Sequence, residues 1–226
     1  MEQVDFAYSY GNVDYEFALN YMKEKVGGII NGHDNQMIWL LEHPSIYTAG
    51  RSASNIEIVN KIDIPYYYTD RGGKFTYHGP GQKVIYIMLD LSKIFKRKPN
   101  VRFFIKKIGR WITSVLQESG IIANLDDENI GIWVENGKLK RKIVSIGIKL
   151  KKWVSYHGIA ININPDMKFF THIIPCGISN CQMTSIAIEK GKLLDDKQLN
   201  KIIKAKFLEE FDCSLSKEYE IKDNIL

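Results

Sequence analysis

The sequence predicts a single α+β domain over residues 1–226, in which a mixed or antiparallel sheet is flanked by helices. Short apolar runs rich in β-branched residues occur in neighbouring groups, and segments with helical periodicity lie between those groups. No Pro/Gly/Ser-rich linker, low-complexity tract or internal repeat divides the chain. With 45% hydrophobic and 25% charged residues, the composition is typical of a globular protein with a substantial core.

The N-terminal part of the chain predicts one helix and one buried strand. Apolar residues at helical spacing over residues 13 to about 25 predict an amphipathic helix, with Asn12 as its cap and Gly27-Gly28 at its end. The run Met37-Ile38-Trp39-Leu40-Leu41 predicts a buried strand. It leads to His43, which we interpret as a structural histidine bonded to a loop carbonyl and not as a catalytic group.

A glycine-rich loop follows, with the sequence Arg71-Gly72-Gly73-Lys74-Phe75-Thr76-Tyr77-His78-Gly79-Pro80-Gly81-Gln82. Four glycines and a proline in twelve residues disfavour both plain helix and plain strand, so we expect a shaped loop. Such a loop can lay its backbone amides against a ligand, although a simple turn between strands is the plain alternative. The apolar run over residues 84–89 then predicts a buried strand, which ties the loop to the core.

The C-terminal half predicts a helix, a hairpin, a further strand and a closing helix. The helix covers residues 101–118 and is ended by Gly120. Extended runs on either side of Asn136-Gly137 predict a hairpin that continues to residue 150. Alternating apolar residues predict a strand over 154–163, and an amphipathic pattern predicts a helix over 194–211.

The charged residues and the N-terminal sequence bear on location and partners. Net charge is +5, with basic clusters at residues 93–98, 138–142 and 149–152. We interpret these clusters as solvated surface, with a docking face for acidic partners as the functional alternative. No recognised nucleic-acid motif accompanies them. Because the sequence has neither a secretory signal pattern nor an apolar run of membrane-spanning length, we expect a cytoplasmic protein without a membrane partner. We also expect a monomer.

One residue is a candidate nucleophile. Cys176 lies in Pro175-Cys176-Gly177, where a rigid and a permissive neighbour can fix the direction of a thiol. The three cysteines form no C-x-x-C pair, and we interpret Cys181 and Cys213 as buried and inert. Lys142 ends a basic cluster and on its own would be interpreted as surface.

The glycine-rich loop, Pro175-Cys176-Gly177 with Met183-Thr184-Ser185, and Lys142-Ile143-Val144-Ser145-Ile146-Gly147 together resemble the lipoyl(octanoyl) transferase family. Val144-Ser145 stands where that family usually has two alanines. The resemblance implies the fold of the biotin and lipoate protein ligase catalytic domain, and a catalytic pair of Cys176 and Lys142. It also implies an acyl-binding pocket formed by Arg71, Gly72, Gly73, Lys74, Phe75, Thr76, Tyr77, His78, Ser145, Ile146, Gly147, Gly158, Ile159 and Ala160.

The reaction that the resemblance implies is transfer of an octanoyl group from octanoyl-acyl carrier protein through a thioester on Cys176. The acceptors would be lysines of lipoyl domains, in 2-oxoacid dehydrogenase subunits and in the glycine cleavage H protein. An ammonium beside a thiol favours the thiolate, which gives Lys142 a physical role. Forming an amide from a thioester is downhill, so neither ATP, nor another cofactor, nor a metal is expected.

Other functions remain open from the sequence alone. An ATP-dependent lipoate or octanoate protein ligase is the nearest rival, although neither G-x-x-x-x-G-K-[ST] nor G-x-G-x-x-G is present. A thiol hydrolase could pair Cys176 with His78 or His157. A zinc site on Cys176 lacks the usual ligand spacings. A basic nucleic-acid-binding module is the non-enzymatic alternative.

Overall fold

The computed structural model describes residues 1–95, 98–137, 139–177 and 181–223, without the side chain of Cys176. The strands are β1 (Glu2–Asn12), β2 (Gln36–Glu42), β3 (Ile46–Ala49), β4 (Tyr66–Tyr68), β5 (Phe75–His78), β6 (Gln82–Met88), β7 (Asn124–Asp126), β8 (Gly131–Asn136), β9 (Leu139–Lys151), β10 (Val154–Asn162), β11 (Gln182–Met183) and β12 (Cys213–Glu220). The helices are α1 (Tyr15–Asn31), α2 (Leu91–Ile94), α3 (Val101–Glu118) and α4 (Asp196–Phe211). Short 3₁₀ turns cover Asn55–Glu57, Met167–His172 and Pro175–Gly177.

A large mixed sheet runs through the molecule in the order β12-β1-β2-β6-β10-β9-β8-β7, and β11 adds to β9. The pairs β1–β12, β1–β2 and β11–β9 are parallel, and the central pairs from β2 to β8 are antiparallel. A second sheet, in the order β4-β3-β5, lies beside it. The prediction of an α+β fold with a mixed sheet flanked by helices is therefore confirmed.

The two faces of the large sheet bury separate cores. One face packs on α3 and α4, where Trp111 meets Phe207 edge-on at 5.0 Å between ring centroids. The other packs on α1, whose Ala18 and Met22 are fully buried. A third, smaller cluster lies under the second sheet and includes Tyr77 and Phe170. Helices on both faces leave the middle strands buried on both sides, which accounts for their continuous apolar runs.

Most predicted elements are present, and α3 has the predicted bounds. Helix α1 differs at both ends: Asp14 caps it by accepting from the amide of Phe17 at 2.9 Å, and it continues to Asn31. Gly32 ends it in the left-handed conformation. Gly28 lies inside the helix and does not end it. A Cβ at this position would lie 1.8 Å from Asp34 Oδ2, so the close packing of Asp34 is what requires a glycine here.

Several elements were not predicted from the sequence, among them the strands at either end of the sequence and one within the glycine-rich loop. Strands β1 and β12 lie at opposite ends of the chain and pair with each other. Within the glycine-rich loop, β5 is a regular strand paired with β3, which corrects the expectation of loop throughout residues 71–82. None of the helices in the described part of the chain combines the length and apolar character needed to cross a membrane.

The basic clusters are less uniform than predicted. Lys96, Arg97 and Lys138 lie outside the described residues. Lys140 is exposed and pairs with Asp126, and Arg141 pairs with Glu189 at 2.7 Å. Lys142, the next residue, is 1% exposed. The interpretation of this cluster as solvated surface is therefore wrong for Lys142.

Candidate active site

A cavity of about 460 Å³ lies between the glycine-rich loop and the middle of the large sheet. Its walls include Lys142 and every residue predicted for the acyl pocket except Tyr77, namely Arg71, Gly72, Gly73, Lys74, Phe75, Thr76, His78, Ser145, Ile146, Gly147, Gly158, Ile159 and Ala160. Segments far apart in the sequence thus meet around one space. The volume falls within the range of pockets that hold small organic ligands.

Arg71 holds the glycine-rich loop in shape. Its guanidinium donates to the carbonyl oxygen of Thr48 at 2.6 Å, to that of Lys74 at 2.8 Å and to that of Gly72 at 2.9 Å. It also donates to the hydroxyl of Thr48. The residue is only 9% exposed, so these bonds compensate for burying its charge. Arg71 therefore fixes the backbone of the cavity wall.

Glycines on β9 and β10 form the opposite wall and bring backbone close to the loop. A Cβ on Gly147 would lie 3.1 Å from both Arg71 Cδ and the carbonyl oxygen of Gly72. A Cβ on Gly158 would lie 1.8 Å from the carbonyl oxygen of Ile85 on β6. The two glycines are directly paired across the strands. Because neither residue has a side chain, the glycine-rich loop and β6 pack directly against the backbone of this wall.

Tyr77 points away from the cavity. Successive side chains of a strand face opposite sides, and on β5 Tyr77 belongs to the third core, where it stacks on Phe169 at 4.7 Å between centroids. Its hydroxyl is 3.0 Å from that of Ser45. The prediction that the whole segment 71–78 lines one pocket is therefore wrong at this residue.

Lys142 presents its side chain to the cavity although it is almost fully buried. Its Nζ donates to the carbonyl oxygen of Ile130 at 2.8 Å and lies 5.1 Å from the centre of the Trp133 ring. A Cβ on Gly131 would lie only 2.1 Å from Lys142 Cε. A lysine side chain held among a carbonyl, an aromatic face and a glycine is oriented by its surroundings.

Backbone contacts anchor the chain before and after the Cys176 turn. The turn Pro175–Gly177 is anchored at its start, where the amide of Ile174 donates to the carbonyl oxygen of Glu57 at 2.6 Å. A few residues later, β11 runs parallel to β9, with Met183 paired to Lys142. The amide of Thr184 donates to the carbonyl oxygen of Lys142 at 2.9 Å. The position of the Cys176 side chain, on which the predicted pairing depends, lies outside the described residues.

The other two cysteines differ from each other. Cys213 is buried, as predicted, and burial raises the pKa of its thiol to about 11, which disfavours the reactive thiolate. Cys181 is only half-buried and lies 4.0 Å from Met183 Sδ, so the prediction of a buried residue is wrong for it.

Three histidines lie in or near the cavity and are kept neutral. Burial lowers the pKa of His43 and of His157 to about 4, and that of His78 to about 3. His43 lies 2.7 Å from the carbonyl oxygen of Val13, which confirms its predicted structural role. Nδ1 of His78 contacts Gln82, and its Nε2 contacts Thr48. With both ring nitrogens engaged, His78 is poorly placed as the base of a hydrolase.

His157 was not predicted as part of the pocket. It lines the cavity with its Nε2 2.8 Å from Asp70 Oδ1, and Tyr156 donates to the other oxygen of Asp70 at 2.6 Å. Its φ of 57° lies in the left-handed region, which is uncommon for residues other than glycine. No sequence pattern marks this pair, because Asp70 and His157 are brought together only by the tertiary fold.

Glu57 is a second residue that sequence reasoning missed. Its side chain is only 3% exposed, and its Oε1 lies 2.9 Å from Lys74 Nζ in an ion pair. Its Oε2 accepts from the amide of Phe75 at 3.2 Å. A single glutamate between unremarkable residues gives no sequence signal for this position. Among the described residues, no group of three or more histidine, cysteine, aspartate or glutamate side chains is arranged to hold a metal ion.

The fold is that of the lipoate and biotin protein ligase catalytic domains. A structure from an archaeal lipoylation system of Thermoplasma acidophilum, a bipartite lipoate protein ligase and its E2 lipoyl domain, superposes with a TM-score of 0.73 over 99% of this chain and 89% of that chain, at 12% identity. Biotin protein ligase from Aquifex aeolicus gives a TM-score of 0.53 over 94% and 70%, at 14% identity. At these identities, the likeness concerns the fold alone.

Sequence comparison identifies the family. The lipoyl protein ligase A/B catalytic domain model matches residues 14–208. The octanoyltransferase of Anaplasma marginale (strain Florida) is 40% identical over 90% of this chain and 94% of that protein. The octanoyltransferase of Wolbachia pipientis wMel is 42% identical over 88% and 95%. The chain belongs to the lipoyl protein ligase A/B catalytic domain family and, within it, to the lipoyl(octanoyl) transferases. It is an acyltransferase.

Proposed function

We propose that this acyltransferase takes an octanoyl group from octanoyl-acyl carrier protein and passes it, through a thioester on Cys176, to a lysine of a lipoyl domain. The acceptors would be 2-oxoacid dehydrogenase subunits and the glycine cleavage H protein, and the enzyme would act as a cytoplasmic monomer. The observation that carries the proposal is the buried Lys142 on the cavity wall, beside the strand that follows the Cys176 turn.

In the first half of the reaction, Lys142 takes the proton of the Cys176 thiol. The thiolate attacks the donor's carbonyl carbon, a carbon–sulfur bond forms, and the carbonyl electron pair moves to oxygen. When the tetrahedral intermediate collapses, the carrier thiolate leaves and takes the proton from Lys142. One thioester has replaced another, so the step is close to isoenergetic.

In the second half, the neutral amine of the acceptor lysine attacks the thioester carbonyl. The carbon–nitrogen bond forms, the Cys176 thiolate leaves, and the proton lost by the amine returns to the Cys176–Lys142 pair. Because an amide is more stable than a thioester, this step is downhill without ATP. The cavity of about 460 Å³ has room for an eight-carbon chain in both halves.

The test is intact-mass spectrometry after mixing the protein with octanoyl-acyl carrier protein. The wild type should gain one octanoyl group and Cys176→Ala none. Matched cysteine controls are Cys181→Ala and Cys213→Ala, which should still be acylated. Addition of a lipoyl domain should discharge the octanoyl group onto its lysine. Labelling that survives in Cys176→Ala, or lipoyl-domain modification that requires free octanoate and ATP, would refute the proposal.

A further inference from the structure

The ion pair between Lys74 and the buried Glu57 lies against the residue that follows Cys176. A Cβ on Gly177 would lie 2.2 Å from Lys74 Nζ, which places the ammonium in contact with the backbone of this turn. Gly177 has a φ of 66°, so both its conformation and the space beside it require a glycine. The absence of a side chain at Gly177 is what allows the cation to come this close.

Glu57 connects the two segments that meet here. Its carboxylate holds the ammonium of Lys74 and the amide of Phe75 in the glycine-rich loop. Its carbonyl oxygen accepts from Ile174, at the start of the Cys176 turn. One residue thus sets the position of Lys74 relative to the turn. A buried carboxylate is costly without a counter-charge, which keeps the Lys74 ammonium where it is.

The acyl transfer needs a donor for the oxygen that becomes negative in each tetrahedral intermediate. Two backbone amides near the turn are already engaged: that of Gly177 donates to the carbonyl oxygen of Ile174 at 3.0 Å, and that of Gly72 to the carbonyl oxygen of Ile148 at 3.3 Å. Lys74 carries three N–H donors, faces the cavity and is 38% exposed along its side chain.

We propose that Lys74 is a further catalytic residue, which donates a hydrogen bond to the acyl oxygen at Cys176 and is positioned by Glu57. When the carbonyl electron pair moves to oxygen, Lys74 stabilises the resulting negative charge without giving up its proton. When the intermediate collapses, the pair returns to the carbon–oxygen bond. This inference rests on the proposed thioester at Cys176.

The test measures single-turnover acylation of Cys176 with the octanoyl thioester of N-acetylcysteamine, a small neutral donor, at saturating concentration. Lys74→Met should acylate about 100-fold more slowly, the usual cost of losing one oxyanion donor. Lys74→Arg should recover part of the rate. The matched control is Lys61→Met, since Lys61 also pairs with a carboxylate, that of Asp63, but is fully solvated. It should acylate like the wild type.

The double variant Lys74→Met/Glu57→Gln distinguishes a catalytic role of Lys74 from a structural role as the counter-charge of Glu57. It removes both charges and so leaves no unpaired carboxylate behind, and it should remain as slow as Lys74→Met. Recovery of the rate would mean that Lys74 serves only to neutralise Glu57, which would overturn the proposal. The double variant also carries the test if Lys74→Met alone fails to fold.

A second readout distinguishes the oxyanion from the thiolate. Alkylation of Cys176 by iodoacetamide forms no oxyanion, so its rate should change little in Lys74→Met. If Lys74→Met slowed alkylation as much as acylation, the proposal would be overturned. It would also be overturned if Lys74→Met slowed acylation by octanoyl-acyl carrier protein but not by the small thioester donor. If the wild type itself forms no thioester on Cys176, the proposed function fails and this inference fails with it. That failure is seen in the unmodified protein, not in the variants.

Discussion

Gly131→Ala should disable Lys142 without removing its charge. A Cβ at this position would lie 2.1 Å from Lys142 Cε and 2.7 Å from its Nζ. Ordinary contacts of a Cβ atom begin near 3.4 Å, so the end of the lysine must retreat by roughly 1 Å. A misplacement of about 1 Å in a reacting group can cost about 100-fold in rate, equivalent to about 2.7 kcal/mol of activation free energy.

The assay measures the turnover rate of octanoyl transfer. The free energy of unfolding, from a urea titration, is measured alongside it to exclude a general loss of stability. Gly137→Ala is the matched control in the same hairpin, since a Cβ there meets nothing within 4 Å. It should keep its turnover, although its φ of 60° carries a small stability cost. The decisive comparison is Gly131→Ala in a Lys142→Ala background, where the further loss should be much smaller. What remains there is the strain of the φ of 157° and a Cβ 2.9 Å from the carbonyl oxygen of Val144. Full turnover in Gly131→Ala, or an equal loss in both backgrounds, would refute the reasoning.

Three further predictions concern stability and are measured by urea unfolding. Gly158→Ala should lower the free energy of unfolding by about 2 to 3 kcal/mol, because its Cβ would overlap the carbonyl oxygen of Ile85; an unchanged midpoint would contradict this packing. Gly27→Ala, with open space around it in α1, should stabilise by up to about 1 kcal/mol, whereas Gly28→Ala should gain less or destabilise because of Asp34; equal effects would be inconsistent with the structure. Below pH 6.5, His43 binds a proton in the unfolded chain but stays neutral in the folded protein. The free energy of unfolding should therefore fall by up to about 1.4 kcal/mol per pH unit down to about pH 4. His43→Gln should make this dependence on pH shallower, and an identical slope in the variant would refute the prediction.

Local patterns predicted the elements that carry strong periodicity. Helix α3 and the long central strands bury continuous or regularly spaced apolar residues, and the sequence pattern reflects this directly. Strand β1 carries Asp5 and Ser9 among its buried residues, and these polar groups are satisfied only by distant partners. Pairing between the two ends of a chain leaves no local signal, so β1 and β12 could not be predicted.

The site shows the same division between local and tertiary information. The glycine-rich loop is contiguous, and the residues that the resemblance implies there, apart from Tyr77, line the cavity. Lys142 lies in a run of basic residues, and only the pairing of β8, β9 and β11 explains why it turns inward. Glu57 and His157 gain their partners entirely from tertiary contacts. Motif resemblance could point to Lys142 but not to the other two.

The parallel pairing of β1 with β12 has a consequence for biosynthesis. Residues Val4 to Tyr8 leave the ribosome long before residues 213–220, which form one of their two neighbouring strands. Before residues 213–220 are made, the nascent chain carries a largely apolar strand with an unpaired edge, and such edges promote aggregation. Shielding of that edge during translation is therefore a requirement that this topology imposes on the cell.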